Sequence, residues 1–182
     1  MASGKVGWFN TPGRPGDRDL KEQLLGLTSL LETCGSRTLL DVGCAEGLIS
    51  IELAKRGAQV HGIDIVPGHI DIANRLRGPL PCMFEVADAN TFVPAHQYDI
   101  ILLLAVLHKL KDPSAAAMRF ARAAYWRVVI RLPPEKAPVI IDARSGNKPH
   151  DIGAAMLRSG FKLLGVGKGA HDEWTGTYGR VV

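Results

Sequence analysis

Apolar and polar positions along this chain change rhythm repeatedly, and each change marks an element. Leu20, Leu24, Leu27 and Leu31 recur at helical spacing, with Asp17 or Asp19 placed to cap the start and Gly35 to stop the end, which predicts one helix over 17–35. Leu39, Leu40 and Val42 then form an apolar run that stops at Gly43, and Leu48, Ile51 and Ala54 resume helical spacing, so 38–56 reads as strand, tight turn and helix. A second strand follows over 59–65, closed by Asp64. Pro67 and Gly68 open a helix with Ile70, Ala73 and Leu76 on one face, and 82–86 reads as a third strand. The near-continuous apolar run 98–104 is what a parallel strand covered on both faces requires. Asp112 and Pro113 cap and start a helix that runs to about Tyr125. A fifth strand spans 127–132, a helix 149–159, and two alternating strands, 161–166 and 175–182, form a hairpin across 168–174. Val139, Ile140 and Ile141 read either as a short added strand or as loop. Residues 7–16 are dense in Pro and Gly and form an irregular arm, whose Trp8 and Phe9 either fold over a pocket or pack the terminus down.

Strands alternating with helices predict an α/β fold with a mostly parallel sheet. At 182 residues the chain is expected to form a single domain spanning 1–182, with the arm at 1–16, the leading helix at 17–35 and the ligand-binding fold at 38–182. No apolar run approaches the roughly 20 residues of a membrane helix, and the N-terminus leads into no signal sequence, so a cytoplasmic protein without membrane insertion is expected. Three scattered cysteines, Cys34, Cys44 and Cys82, fit a reducing compartment. The six histidines show no pair at metal-ligand spacing, and no metal site is expected. Charge is uneven: 9 basic against 12 acidic residues through Leu104, and 13 against 6 after it. The later half either faces an anionic partner or carries a solvated basic surface.

The chemistry concentrates at the first turn. Gly43, Cys44, Ala45 and Gly47 are small enough for a ligand to approach the main chain, and Asp41 places a carboxylate beside them. A dinucleotide fingerprint needs glycines where Ala45 and Leu48 stand, and the carboxylate suits a cationic ligand better than a pyrophosphate. Asp64 follows Asp41 by one strand–helix–strand unit, and an acidic side chain at that strand end can accept both hydroxyls of a ribose, a spacing shared with NAD-binding folds.

Asp41-Val42-Gly43-Cys44-Ala45-Glu46-Gly47 resembles the first motif of the class I S-adenosylmethionine (SAM) dependent methyltransferases, with Ala45 in place of the middle glycine. That resemblance implies a three-layer Rossmann-like sandwich with strand order 3-2-1-4-5-7-6 and the last strand antiparallel. It implies SAM as cofactor, held by the turn residues Asp41, Gly43, Cys44, Ala45 and Gly47. Farther along, it assigns Asp64 and Ile65 at the second strand end, Asp88 and Ala89 against adenine, and Leu104 after the fourth strand. Leu107-His108 before Asp112-Pro113 is similar to the segment that follows the fourth strand in small-molecule methyltransferases. His108 is a candidate general base for an O or N nucleophile, or a residue that shapes the pocket. Arg131, at a strand end on the same face, is a candidate for a substrate carboxylate or phosphate, or for an ion pair. His171, Asp172, Glu173 and Trp174 either reach the substrate side or are ordinary loop residues.

The chain lacks an Asp/Asn-Pro-Pro-Tyr/Phe signature and a Pro-Cys after the fourth strand, which argues against adenine-amino and cytosine carbon-5 chemistry. The leading expectation is methyl transfer to O or N of a small molecule or a sugar- or lipid-linked precursor. A nucleic-acid or protein methyltransferase and a catalytically silent SAM-binding module are the alternatives, with an NAD oxidoreductase farther behind.

Overall fold

The structure is a computed structural model that describes residues 9–13, 15–16, 18–134 and 149–181. Trp8, Arg14 and Asp17 of the arm and the 139–144 run lie outside the described residues. Seven strands form one sheet in the order β3-β2-β1-β4-β5-β7-β6: β1 (Thr38–Val42), β2 (Gln59–Asp64), β3 (Cys82–Val86), β4 (Tyr98–Leu104), β5 (Ala124–Leu132), β6 (Phe161–Lys168) and β7 (Trp174–Arg180). The first five are parallel, and β7 runs antiparallel to both β5 and β6. The Rossmann-like topology implied by the first turn is the one present.

Side chains alternate across the central strands and feed two cores. Leu40, Val42, Ile101, Leu103, Val128 and Ile130 pack on one face with α5 (Pro113–Ala123) and α6 (Pro149–Arg158). Leu39, Ile100, Leu102 and Val129 pack on the other with α2 (Thr28–Thr33), α3 (Leu48–Lys55) and α4 (Pro67–Leu76). Helix starts follow the expected chemistry: Asp112 accepts a hydrogen bond from the Ala115 N–H at 2.8 Å with Pro113 behind it, and Pro67 opens α4.

The leading helix is not continuous. It breaks into α1 (Leu20–Leu24), capped by Asp19, and α2, because Gly26 sits at φ +76° and the carbonyls of Gln23 and Leu25 accept hydrogen bonds from the Arg131 guanidinium. A Cβ at position 26 would stand 2.9 Å from the Lys168 carbonyl oxygen, so this bend is where the N-terminal segment touches the β6 end. The start of β5 also differs, at Ala124 rather than 127, where α5 hands over directly to the strand.

Candidate active site

The strand ends converge on a cavity of about 590 Å³, within the range of small-molecule and cofactor sites. Gly43 and Ala45 line it from the turn after β1, Asp64, Ile65 and His69 from the end of β2 and the start of α4, Asp88, Ala89 and Asn90 from the loop after β3, and Leu104 to Val106 with Lys109 and Lys111 from the segment after β4.

The turn after β1 is locked from below. Gly43 and Cys44 N–H both donate to the Ile63 carbonyl (2.8 and 2.9 Å), Ala45 N–H donates to Asp64 Oδ2 (3.0 Å), and Gly47 N–H to the Cys44 carbonyl (2.9 Å). These donors are spent inside the protein, so they offer little to a pyrophosphate. Gly43 takes φ +76° and a Cβ there would meet Val106 Cγ2 at 2.9 Å; the glycine lets the β4 segment close onto the turn. Ala45 itself stands at φ 48° and Ala105, across the cavity, at φ 54°. Two non-glycine residues in the left-handed region on facing walls place backbone strain at the site.

Three carboxylates surround this turn. Asp41 is buried and accepts the Ser50 hydroxyl at 2.6 Å. Burial pushes its carboxyl up to about 6, with the nearby Asp64 charge adding to the rise and the Ser50 bond opposing it. Asp64 goes the other way: burial works to raise it, but hydrogen bonds from His69, Val66 N–H and Ala45 N–H prevail and hold it below the ordinary carboxylate range. Glu46, fully buried, accepts the Phe9 N–H at 3.0 Å. Carboxylates beside a turn whose Gly43, Cys44, Ala45 and Gly47 amides are already bonded suit a cation that also carries hydroxyls. These acceptors fit the sulfonium and ribose of SAM better than a dinucleotide pyrophosphate.

After β3, Asp88 Oδ1 accepts both the backbone and the side-chain N–H of Asn90 at 2.8 Å, and Asn90 Oδ1 accepts the Lys111 N–H at 3.0 Å. Ala89 O accepts from Arg119 of α5. The two loops flanking this end of the cavity are thereby tied together.

Of the residues singled out in the sequence, Gly43, Ala45, Asp64, Ile65, Asp88, Ala89 and Leu104 meet at the cavity. Asp41, Cys44 and Gly47 lie behind it. Gly47, at φ +73°, serves packing, since a Cβ would meet the Phe84 ring at 2.7 Å. Burial, with Asp41 and Asp64 beside it, raises the Cys44 thiol well above its usual range and keeps it neutral.

His108 and Arg131 are placed otherwise than expected. His108 is 2% exposed in the short 3₁₀ turn Leu107–Lys109 and does not line the cavity, although Val106, Lys109 and Leu110 around it do. Arg131 is fully buried, with Nη1 donating to the Gln23 carbonyl (2.7 Å), Nη2 to the Leu25 carbonyl, Nε to Thr175 Oγ1 (3.1 Å), and Glu173 Oε2 at 3.8 Å from Nε. Its guanidinium is consumed holding the N-terminal segment to β7, and no substrate anion is within its reach. His171 is exposed, near Glu22 at 3.9 Å. The sequence pattern singles out neither His69 nor Asn90, both of which line the cavity. His69 had a usable signal: it follows Asp64 by five residues on the first turn of a helix, which returns it to the strand end.

Among known proteins, a methyltransferase-domain family matches residues 40–124. A ubiquinone biosynthesis O-methyltransferase of Xanthomonas axonopodis pv. citri (strain 306) is 31% identical over 172 residues, covering 81% of this chain and 72% of the relative. Aklanonic acid methyltransferase DauC of Streptomyces sp. (strain C5) is 32% identical over 144 residues, covering 68% and 66%. Some curated relatives match over less: the chain spans 38% of the ubiquinone biosynthesis O-methyltransferase of Hydrogenovibrio crunogenus. In fold, the solved structure of magnesium protoporphyrin IX methyltransferase (ChlM) from Synechocystis PCC 6803 with bound SAH superimposes with a TM-score of 0.75 at 20% identity, covering 88% of this chain and 83% of the other.

Fold and site together define a Rossmann-like, SAM-type methyltransferase domain. The chain belongs to the class I SAM-dependent methyltransferases, whose cofactor is S-adenosylmethionine.

Proposed function

We propose that this protein transfers the methyl group of SAM to a hydroxyl oxygen of a small organic acceptor. The observation that carries the reading is the placement of carboxylate acceptors in the cavity: Asp64 stands at one end and the Asp88–Asn90 loop at the other, while the Gly43, Cys44, Ala45 and Gly47 amides of the β1 turn are bonded inside the protein. Asp64 takes the ribose hydroxyls through carboxylate lone pairs not used by its three internal donors. Asp88 and the Ala89 backbone face the adenine, and Gly43, Ala45 and Leu104 line the amino-acid end. The acidic relatives of the turn, Asp41 and Glu46, add the field that favours a cation. The choice of oxygen rests on the relatives, several of which are named as O-methyltransferases of small molecules.

When bound, SAM supplies an electrophilic methyl on a sulfonium. The chain's contribution is to hold that end against an acceptor at near-attack distance and to exclude water. His108, buried away from the cavity, shapes the turn after β4 and is not the base in this reading. Incubation with methyl-labelled SAM and a panel of phenolic and carboxylic small molecules tests the proposal. Label in an O-methyl product supports it. Label only in amines or RNA would replace the acceptor class, and SAH binding without any turnover would leave a silent SAM-binding module.

A further inference from the structure

His69 stands between two acids that belong to different parts of the molecule. Its Nδ1 lies 3.3 Å from Asp64 Oδ1 at the cavity, and its Nε2 lies 3.6 Å from Glu46 Oε1 behind the wall. The ring is at the edge of the cavity, with 18% of the side chain exposed, whereas Glu46 is fully enclosed. A buried carboxylate is costly unless paired and hydrogen-bonded. Two supports of Glu46 are this imidazole and, on its other oxygen, the Phe9 N–H at 3.0 Å.

Phe9 is the start of a closed loop: it bridges to Arg18, Asn10 N–H donates to the Arg18 carbonyl at 2.9 Å, and Arg18 reaches Glu173 at 3.8 Å. Gly16 makes the loop possible, because a Cβ there would stand 2.0 Å from the Phe9 carbonyl oxygen. The chain Phe9–Glu46–His69–Asp64 is therefore continuous from the N-terminal segment to the cavity.

We infer that His69 is a positioning residue that couples seating of the N-terminal segment to the cavity's affinity for the cofactor, by orienting Asp64 from one ring nitrogen while the other supports Glu46. The inference rests on the proposed role of Asp64 toward the ribose. Nδ1 is within hydrogen-bond reach of Asp64 and Nε2 within ion-pair reach of Glu46, so a single ring touches both acids and cannot move on one without moving on the other. Asp64 and Glu46 are the acids that reach the ring among the described residues. Asp88, Lys109 and Lys111 face it across the cavity, Asp41 lies behind the turn, and Asp71 is on α4 itself.

The test is SAH titration at pH 7 with the wild type, H69Q, G16A and D64N, together with tryptic cleavage after Arg18 with and without SAH. Cleavage there needs the segment to unseat. In the wild type, SAH should slow cleavage about tenfold, a coupling of ordinary size. H69Q should bind SAH about tenfold more weakly, with SAH no longer protecting Arg18. G16A, remote from the cavity, should also bind SAH more weakly. Wild-type affinity in H69Q, or undiminished protection of Arg18 by SAH in that variant, would overturn the inference. D64N binding SAH as tightly as the wild type would overturn the ribose reading and the inference with it, whereas D64N weakened beside an unaltered H69Q would overturn the inference alone.

Discussion

Two clusters of buried charge sit at the carboxyl end of the same sheet, and they do opposite work. On the β1–β2 side, Asp41, Asp64 and Glu46 gather around a turn whose Ala45 takes a left-handed backbone at the cavity wall. On the β5–β7 side, Arg131 and Glu173 lie in a closed interior with Thr175 and the carbonyls of Gln23 and Leu25, and none of them lines the cavity. The first cluster carries an excess of one sign and leaves carboxylate oxygen facing an open space; the second is a compensated pair whose donors are directed to fixed acceptors. Like charge held beside a cavity is a cost to the fold that a cationic ligand offsets. Opposite charge sealed away from solvent has a structural use, here the fastening of the N-terminal segment across the β5–β7 strand ends.

Substitutions on the two sides should therefore move stability in opposite directions. The largest effect is expected from Arg131→Met, which leaves buried Glu173 with one of its two neighbouring cations gone and two backbone carbonyls without their donor: about 3–5 kcal/mol lost in chemical denaturation. Burial lowers the Arg131 pKa and Arg18 adds to that, against Glu173, but the guanidinium stays charged, so the loss should be independent of pH between 5 and 9.

Asp41→Asn should do the reverse. With the folded-state carboxyl near 6 against 3.8 for the free group, the native state holds the proton more tightly than the unfolded chain. The contribution of Asp41 to stability is then most favourable below pH 4, falls as pH climbs from about 4 to 6, and is flat above. Removing that cost should stabilise the protein by about 2–3 kcal/mol at pH 8 and erase this slope, as urea unfolding at a series of pH values would reveal. Destabilisation by Asp41→Asn would mean that the acidic cluster serves the fold after all, and the contrast between the two sides would collapse.

A third, smaller effect separates binding from folding. Asp64→Asn should lower SAH affinity about 30-fold, the scale of one or two charge-assisted hydrogen bonds, with a smaller loss of stability because one of the oxygens that accept the Ala45 and Val66 amides is replaced by an N–H. Smallest of all, Ala45→Gly relieves φ 48° but loosens the unfolded chain, and the two should nearly cancel to within about 0.5 kcal/mol.

The same division governs what could be read from the residues alone. The apolar runs of β1 and β4, the caps at Asp112 and Pro67 and the turn at 43–47 are local signals, and each appears where its pattern placed it. Asp64 was legible at a strand end because a strand–helix–strand unit fixes its distance from the first turn, whereas Asp88 was singled out only through the family resemblance. Arg131 read either as a substrate contact or as an ion-pair partner; the structure gives the ion pair with Glu173, and its burial was not legible because Gln23 and Leu25, whose carbonyls it holds, lie over 100 positions away. The break in the leading helix has the same origin: helical spacing continues through Leu27, and only Gly26 hinted that a distant donor takes the carbonyls. His108 was drawn into the site by its neighbours, yet the 3₁₀ turn rotates Lys109 to the cavity and His108 away. Glu46 and His69 were missed because nothing in their own segments shows that they meet.

Calorimetric titration of the wild-type protein and Asp64→Asn with S-adenosylhomocysteine, using NAD as the control ligand, tests the central claim most directly. Micromolar binding of S-adenosylhomocysteine, weakened about 30-fold by the substitution, with no heat from NAD, is the expected result. Equal affinity in the two proteins, or binding of NAD in preference, would contradict the account of Asp64 at the cavity.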